Sequence, residues 1–385
     1  MILSSEIDRI LPKVIEIRRH VHEYPELSGE ERETTIYVCG ILDENNISYT
    51  LLPNAHGIVA YVGKGASAVG VRAELDALPM TEETGLEYAS KNQGVMHACG
   101  HDIHLAAALG LLLILKPIEN ELDHTVKVFF QPAEETVGGA NDMILDGCMS
   151  DPEVDSVFGF HIAPTLETGK ISYIIGAMNA AVTDFELTVR GRSCHGAHPE
   201  QGIDAIVMSA GIVSALQAIP SRRFAPTTPT ILTIGTINGG SANNIVAGEV
   251  RMTGTLRALD MAVMEQLKRT VKETCEQTAR GFGGEAEIKY TTEYPVLEND
   301  RELTEKAVQK ISELIGNDNL IEMDSASLGA DDFAFFCRHA SCFYFNIGCR
   351  GKDQGDEQVL HSSLLAPDEG SLKTALKILC DIVAI

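Results

Sequence analysis

The stretch Met96-His97-Ala98-Cys99-Gly100-His101-Asp102 sets a sulfur and an imidazole two residues apart, just before an apolar run. A Cys-x-His pair suits one divalent cation or two adjacent ones, since thiolate and imidazole are both good ligands for borderline-soft ions. Gly100 lets the backbone turn between them, and a helix starting just beyond would lower the thiol pKa. Asp102 is suited to orient an imidazole from behind. A buried cysteine beside a helix-capping aspartate is the plainer alternative. A second stretch, residues 126–130 followed by Gln131-Pro132-Ala133-Glu134-Glu135, puts two carboxylates directly after an apolar strand. Such neighbours raise each other's pKa. One division of labour gives Glu135 to a metal and Glu134 to proton transfer, with a solvated loop as the alternative. Phe158-Gly159-Phe160-His161 and Val359-Leu360-His361-Ser362 each read as a strand ending in an imidazole. Strand ends are where α/β sheets build their crevices, so four such pieces point to one metal-dependent site.

Elements that would position these residues can be read from periodicity. Ile7, Ile10, Leu11, Val14, Ile15 and Ile17 predict an amphipathic helix over 5–24. A second helix is expected from Ser28, which forms a capping-box pattern with Glu31. Strands at 57–62, 69–73, 125–130 and 156–160 alternate with helices at 103–115 and 138–145, which favours an α/β layer with helices covering a central sheet. From 179 to 294 the rhythm becomes β-α-β-β-α-β, with strands at 182–189, 230–237, 245–256 and 285–292 and helices at 203–219 and 262–280. That is a ferredoxin-like order. The expected architecture is a discontinuous α/β catalytic domain, 1–178 and 295–385, with a central mixed sheet. It is interrupted by an inserted α+β domain, 179–294, acting as a lid or dimerisation unit.

The bulk properties narrow the partners. A formal net charge of -25, from 30 basic and 55 acidic residues, argues against nucleic acid and anionic membrane surfaces. The longest apolar run, 105–115, falls short of the roughly 20 residues a span requires. The opening MILSSEIDRILPK lacks an uninterrupted apolar core of signal-peptide length. Nine scattered cysteines show no disulfide framework. A cytoplasmic protein is the expectation.

Over nearly its whole length the chain resembles the metallopeptidase family of aminoacylases, hippurate hydrolases, auxin-conjugate amidohydrolases and N-acetyl-diaminopimelate deacetylases. The matching pieces include Arg18-Arg19, His22, Pro25-Glu26-Leu27-Ser28, Glu31 and Arg72-Ala73-Glu74-Leu75-Asp76-Ala77-Leu78-Pro79. They continue through Cys99-Gly100-His101-Asp102, Gln131-Pro132-Ala133-Glu134-Glu135, Gly191, His195-Gly196-Ala197, Gly239-Gly240, Asn244, Arg257, Gly329, Asp332-Phe333 and His361. The resemblance implies two divalent ions held by Cys99, His101, Glu135, His161 and His361, with Cys99 bridging. Glu134 would be the general base for a metal-activated water, and Asp76 an orienting carboxylate. His195 would steady the oxyanion, from the same chain or from a partner subunit. Arg257 and Asn244 would grip a substrate carboxylate. It implies hydrolysis of small N-acyl amino acids by a homodimer, with zinc, manganese, cobalt or nickel as the metal. Glu74 stands where the family usually has Asp, and Glu200 where histidine is frequent; both bear on substrate preference.

Rival readings are a dipeptidase or carboxypeptidase of the same family and a non-catalytic metal-binding relative. Serine chemistry has little support, since no Gly-x-Ser-x-Gly elbow occurs. His104, one turn beyond His101, is expected on the helix surface, and His20, His56, His124 and His339 have no ligand-like partner.

Overall fold

The computed structural model describes residues 4–136, 138–355 and 358–384. The chain divides into two compact units. One comprises the residues up to Gly176, Glu298–Ser325 and those from Asp332 onward; the other comprises Ala177–Leu297 and Ala326–Asp331. The short piece 326–331 thus returns to the second unit.

An eight-stranded mixed sheet forms the centre of the first unit. Its order is Ser48–Leu51, Ile58–Val62, Thr125–Gln131, Ser67–Glu74, Glu153–Glu167, Ser341–Arg350, Ile171–Tyr173 and Leu320–Glu322. The four middle strands run parallel, Ser67–Glu74 lying between Thr125–Gln131 and Glu153–Glu167, and Ser341–Arg350 beyond the latter. Strands buried on both faces carry apolar runs rather than alternation, as Val128, Phe129 and Phe130 do.

The helix His101–Leu115 is buried along its whole length, because residues 105–115 are apolar on every side and the polar side chains of its first turn find buried partners. The stretch His101–Glu121 is long and apolar enough to cross a membrane by length and composition. Its most apolar window is 83% buried, so it serves as an interior helix. It packs against the helices Ser4–Glu23 and Gly370–Ile382, and Gly110 sets the closeness of that contact. A Cβ there would lie 2.7 Å from Leu376 Cδ2 and 2.7 Å from Val14 Cγ2. Gly110→Ala is therefore expected to destabilise the fold by about 1–3 kcal/mol through overpacking, read as a lower urea midpoint at unchanged m-value.

The predicted start of the second helix is corrected. The helix spans Arg32–Glu44, and Ser28 and Glu31 do not cap it. The Glu26 carboxylate accepts the Glu33 N–H at 3.1 Å and the Thr34 N–H at 2.8 Å. Ser28 and Glu31 are drawn instead to Asp76 and to the Ala133 N–H.

The second unit is a four-stranded antiparallel sheet, ordered Thr230–Gly239, Glu249–Ala258, Ala181–Arg190 and Glu285–Tyr294, with helices Ala205–Gln217 and Met261–Gly281. Phe185, Leu187, Val189, Val250 and Met252 share one apolar core with Met208, Ile212, Leu267 and Val271. Asp204 and Asp260 cap the two helices by accepting backbone N–H groups. The element order is β-α-β-β-α-β, the ferredoxin-like arrangement. The single strand expected over 245–256 is two, Ile245–Val246 and Glu249–Ala258; the first pairs with Cys194–His195 instead of extending the main sheet.

Candidate metal centre

The parallel strands of the first unit end together, and their C-terminal loops carry the chemistry. After Ser67–Glu74 the chain turns through Asp76; after Thr125–Gln131 it turns through Glu134 and Glu135. His161 corrects the expectation of a strand end. It lies inside Glu153–Glu167, where residues past Phe158 have lost the Ser67–Glu74 neighbour but still pair with Ser341–Arg350. The exposed flank puts His161 level with the crevice. His361 is a second correction: it sits in a turn at φ +59, not on a strand. Its N–H donates to the Ala98 carbonyl at 2.8 Å, which brings it to Cys99.

The five ligand candidates converge. Cys99 Sγ lies 3.2 Å from His161 Nε2 and 3.3 Å from His361 Nε2, and His361 Nε2 lies 3.4 Å from Glu135 Oε1. Donor atoms of Cys99, His101 and His161 form one close group, and those of Cys99, Glu135 and His361 another. Glu134 Oε2 stands 4.0 Å from His101 Nε2. Tautomers follow from the partners. His101 Nδ1–H donates to the Asp76 carbonyl at 2.8 Å and His161 Nδ1–H to the Ile162 carbonyl at 2.8 Å. Each Nε2 is thereby left as the acceptor nitrogen, and that of His161 lies against the sulfur.

These residues fit divalent ions on three counts. His101 Nε2 and Glu135 Oε1 are buried without a hydrogen-bond partner, a costly arrangement unless something ligates them. The donors are sulfur, imidazole and carboxylate, a set suited to zinc-like ions. Burial pushes the Cys99 thiol well up, reversing the expectation that the helix start lowers it; a coordinated cation is what deprotonates such a thiol outright. Glu135 also departs from expectation. Burial raises it, but His361 and His101 outweigh this and hold it below its ordinary value.

Support comes from two buried networks that sequence reasoning largely missed. Asp76 Oδ2 accepts from Ser28 Oγ at 2.7 Å and from the Glu135 N–H at 2.9 Å, fixing the Glu134–Glu135 turn from behind. That turn begins at Ala133, with φ +57, whose N–H is held by Glu31. Arg72 joins Glu74, Gln131 and Asp332. His104 is not on a helix surface: fully buried, its Nδ1 donates to Glu74 Oε2 at 2.8 Å and its Nε2 accepts the Ile162 N–H at 3.1 Å. Burial raises the Glu74 carboxyl, but Arg72 and then His104 hold it well below its ordinary range. Arg72, Glu74 and Asp332 stood among the motif residues in the sequence, but their pairing with one another, with Gln131 and with His104 did not.

The second network braces the helix that bears His101. Asp102 Oδ2 accepts from Arg18 Nε at 2.7 Å and from His22 Nδ1 at 2.8 Å, so the imidazole it orients is that of His22. Burial alone would lower the His22 pKa, but Asp102, with help from Glu82, outweighs it and holds it above the ordinary value. A raised pKa means a stabilising contribution complete below about pH 6.5 and lost as the pH climbs through the folded-state value. His22→Ala is expected to cost about 1.5–3 kcal/mol at pH 6 and to flatten the fall in stability toward alkaline pH. Urea unfolding at a series of pH values reads both.

In the second unit, His195 is exposed and pairs opposite Ile245, and the Gly196 N–H donates to the Asn244 carbonyl at 2.7 Å. These two candidates are neighbours. Arg257 is not with them. It donates to the Leu328 carbonyl at 2.8 Å near the far end of a strand whose first residue, Glu249, pairs with Arg190. Eight residues of strand separate Glu249 from Arg257, roughly 27 Å.

Sulfur, imidazole and carboxylate donors thus gather at the C-terminal ends of the parallel strands, as a group that could hold metal ions. Residues 70–384 match the model of peptidase family M20/M25/M40. The chain is 38% identical over 342 residues to an N-acetyl-L-cysteine deacetylase of Bacillus subtilis, covering 88% of this chain and 81% of the relative. It is 35% identical over 382 residues to thermostable carboxypeptidase 1 of Saccharolobus solfataricus, covering 96% and 94%. Among solved structures, the Bacillus subtilis YXEP protein, described as a dinuclear metal binding peptidase, superposes with a TM-score of 0.84 at 29% identity, covering 98% of each chain. The chain belongs to peptidase family M20/M25/M40, and it is a hydrolase of C–N amide bonds.

Proposed function

We propose that the chain hydrolyses small N-acyl amino acids to a carboxylate and a free amino acid. The observation that carries this reading is the sharing of Cys99 between two donor groups, with Glu134 beside them. Cys99, His101 and His161 would hold one divalent ion, and Cys99, Glu135 and His361 the other. Bound ions would supply Lewis acidity toward the scissile carbonyl and toward water. Glu134 takes the proton of the attacking water and returns it to the leaving amine. Asp76 orients His101 through its carbonyl and fixes Glu135 through its carboxylate. The thiolate favours zinc by softness, while imidazole and carboxylate also suit manganese, cobalt and nickel.

His195 steadies the developing oxyanion, a contribution worth about 3–4 kcal/mol for one well-placed donor. Arg257 grips the substrate carboxylate and Asn244 adds a polar contact. Arg257 is carried by a strand that holds neither His195 nor Asn244, and this arrangement suits their serving different sites of a homodimer. The inserted unit suits such pairing. Its edge strand Thr230–Gly239 is uncharged, a surface that unpaired edges normally avoid, and Ile206, Val207 and Ile237 are exposed on the same unit. Light scattering on the purified chain tests this, a monomer ruling it out.

Free amine release from N-acetyl amino acids, N-benzoyl amino acids and dipeptides, measured across chains reconstituted with each metal, tests the substrate class. Turnover of the N-acyl compounds is the expected result. Turnover of dipeptides alone would favour the peptidase reading, to which the carboxypeptidase relative lends weight. A metal-loaded chain inert to all of them would sink both in favour of a non-catalytic relative.

A further inference from the structure

The two donor groups around Cys99 are built differently. His101 is on a wholly buried helix and His161 on a strand. His361 is carried by a turn and its side chain is 51% exposed. Its backbone holds φ +59, a left-handed conformation that costs a residue with a Cβ about 1–2 kcal/mol and so needs outside support. An exposed imidazole on a strained turn would swing away from Cys99 unless the turn were braced.

Bracing is visible on both sides. Gln358, 8% exposed, spans the turn with both ends of its amide: Nε2 donates to the Leu364 carbonyl at 3.1 Å and Oε1 accepts the Ala366 N–H at 2.8 Å. A planar amide bonded at two points fixes the direction as well as the distance of the segment it spans. On the other side, the loop after Asp76 reaches across. The Glu83 N–H donates to the Ser363 carbonyl at 2.8 Å, and Ser363 Oγ donates to Glu83 Oε2 at 2.6 Å. Gln354 Nε2 adds a bond to the Ala366 carbonyl at 2.6 Å. None of these side chains belongs to either donor group.

We propose that Gln358, together with the Glu83–Ser363 tie, positions His361 and thereby sets the affinity of one ion of the pair without altering the other. The proposal rests on the reading of Cys99, Glu135 and His361 as ligands. Gln358 and Glu83 touch neither ion nor substrate; they act through His361 as positioning residues. The first ion, at Cys99, His101 and His161, depends on helix and strand and is indifferent to them.

Zinc titration of the metal-free full-length chain tests this, with bound metal counted by elemental analysis and each step's affinity measured by a competing chelator. Wild type is expected to take up two ions per chain. Gln358→Leu should retain one ion at wild-type affinity and bind the second roughly 10–100-fold more weakly, the usual loss when a residue supporting a ligand is removed. Activity should return as zinc is raised. Gln358 is buried, so its loss risks misfolding. The surface pair Glu83→Gln with Ser363→Ala removes the side-chain half of the second brace and leaves its backbone bond, and is expected to weaken the same ion in the same direction. Cobalt loading gives an independent readout, since the thiolate-to-cobalt absorption of the first site should persist in every variant. Two ions at wild-type affinity in the variants would overturn the proposal, and so would equal weakening of both. Fewer than two ions in wild type would instead overturn the two-ion reading beneath it.

Discussion

Glu134→Gln is expected to bind its metal complement as wild type does and to lose about two to four orders of magnitude in kcat, the usual contribution of a positioned general base. Glutamine keeps the size of the side chain and an acceptor oxygen but cannot take a proton. Metal binding should survive, because neither of the two groups that share Cys99 includes Glu134, and glutamine keeps an oxygen donor for the group in which Glu134 stands with His101 and Glu135. The turn should survive too, since it is held at the Ala133 N–H by Glu31 and at the Glu135 N–H by Asp76. Elemental analysis beside steady-state kinetics checks both halves. Wild-type turnover in a fully loaded variant would remove Glu134 from the mechanism.

Cys99→Ala should have the opposite signature, with metal content itself collapsing. Each donor group has three members and Cys99 is the one they share, so its removal takes both below the ligand number a tight site requires. Turnover should fall below detection, whereas losing a ligand that serves one group, as in His361→Ala, should leave one ion in place. The fold should tolerate the change, because alanine fills much of the space of a small buried side chain and removes a thiol that burial disfavours in its charged form. Circular dichroism and metal analysis on one sample separate lost metal from lost structure. A Cys99→Ala chain that retained both ions would refute the bridging role.

What the sequence made legible was whatever lay in short local patterns. Cys99-Gly100-His101 and Glu134-Glu135 stood out because sulfur, imidazole and paired carboxylates are unusual neighbours of apolar runs, and the structure brings their side chains together. The β-α-β-β-α-β order of the second unit was readable because its strands and helices carry clean periodicities, whereas the caps at Asp204 and Asp260 were not picked out. Non-local partnership was opaque. Ser28 and Glu31 satisfy the local capping pattern, yet bonds to Asp76 and Ala133, 48 and 102 residues away, win. His104 has helix-surface spacing only if Glu74 is ignored. The apolar run ending at Phe160 hid the continuation of its strand, which depends on pairing between His161 and Asn346. Val359-Leu360-His361 looks like strand by propensity, but the Gln358 amide and the Ala98 carbonyl impose a turn, an example of context overriding β preference.

The strand bearing His161 acquires its neighbour Ser341–Arg350, and the crevice acquires His361, only after the whole inserted unit has been translated. At ordinary synthesis rates the roughly 200 residues between the two histidines take about 10–40 s to emerge. The inserted unit, with a core of its own, can fold during that interval, while the Cys99–Glu135–His361 group cannot exist on a nascent chain until residue 361 has emerged. Prematurely terminated products that stop short of His361 therefore lack one member of the Cys99–Glu135–His361 group.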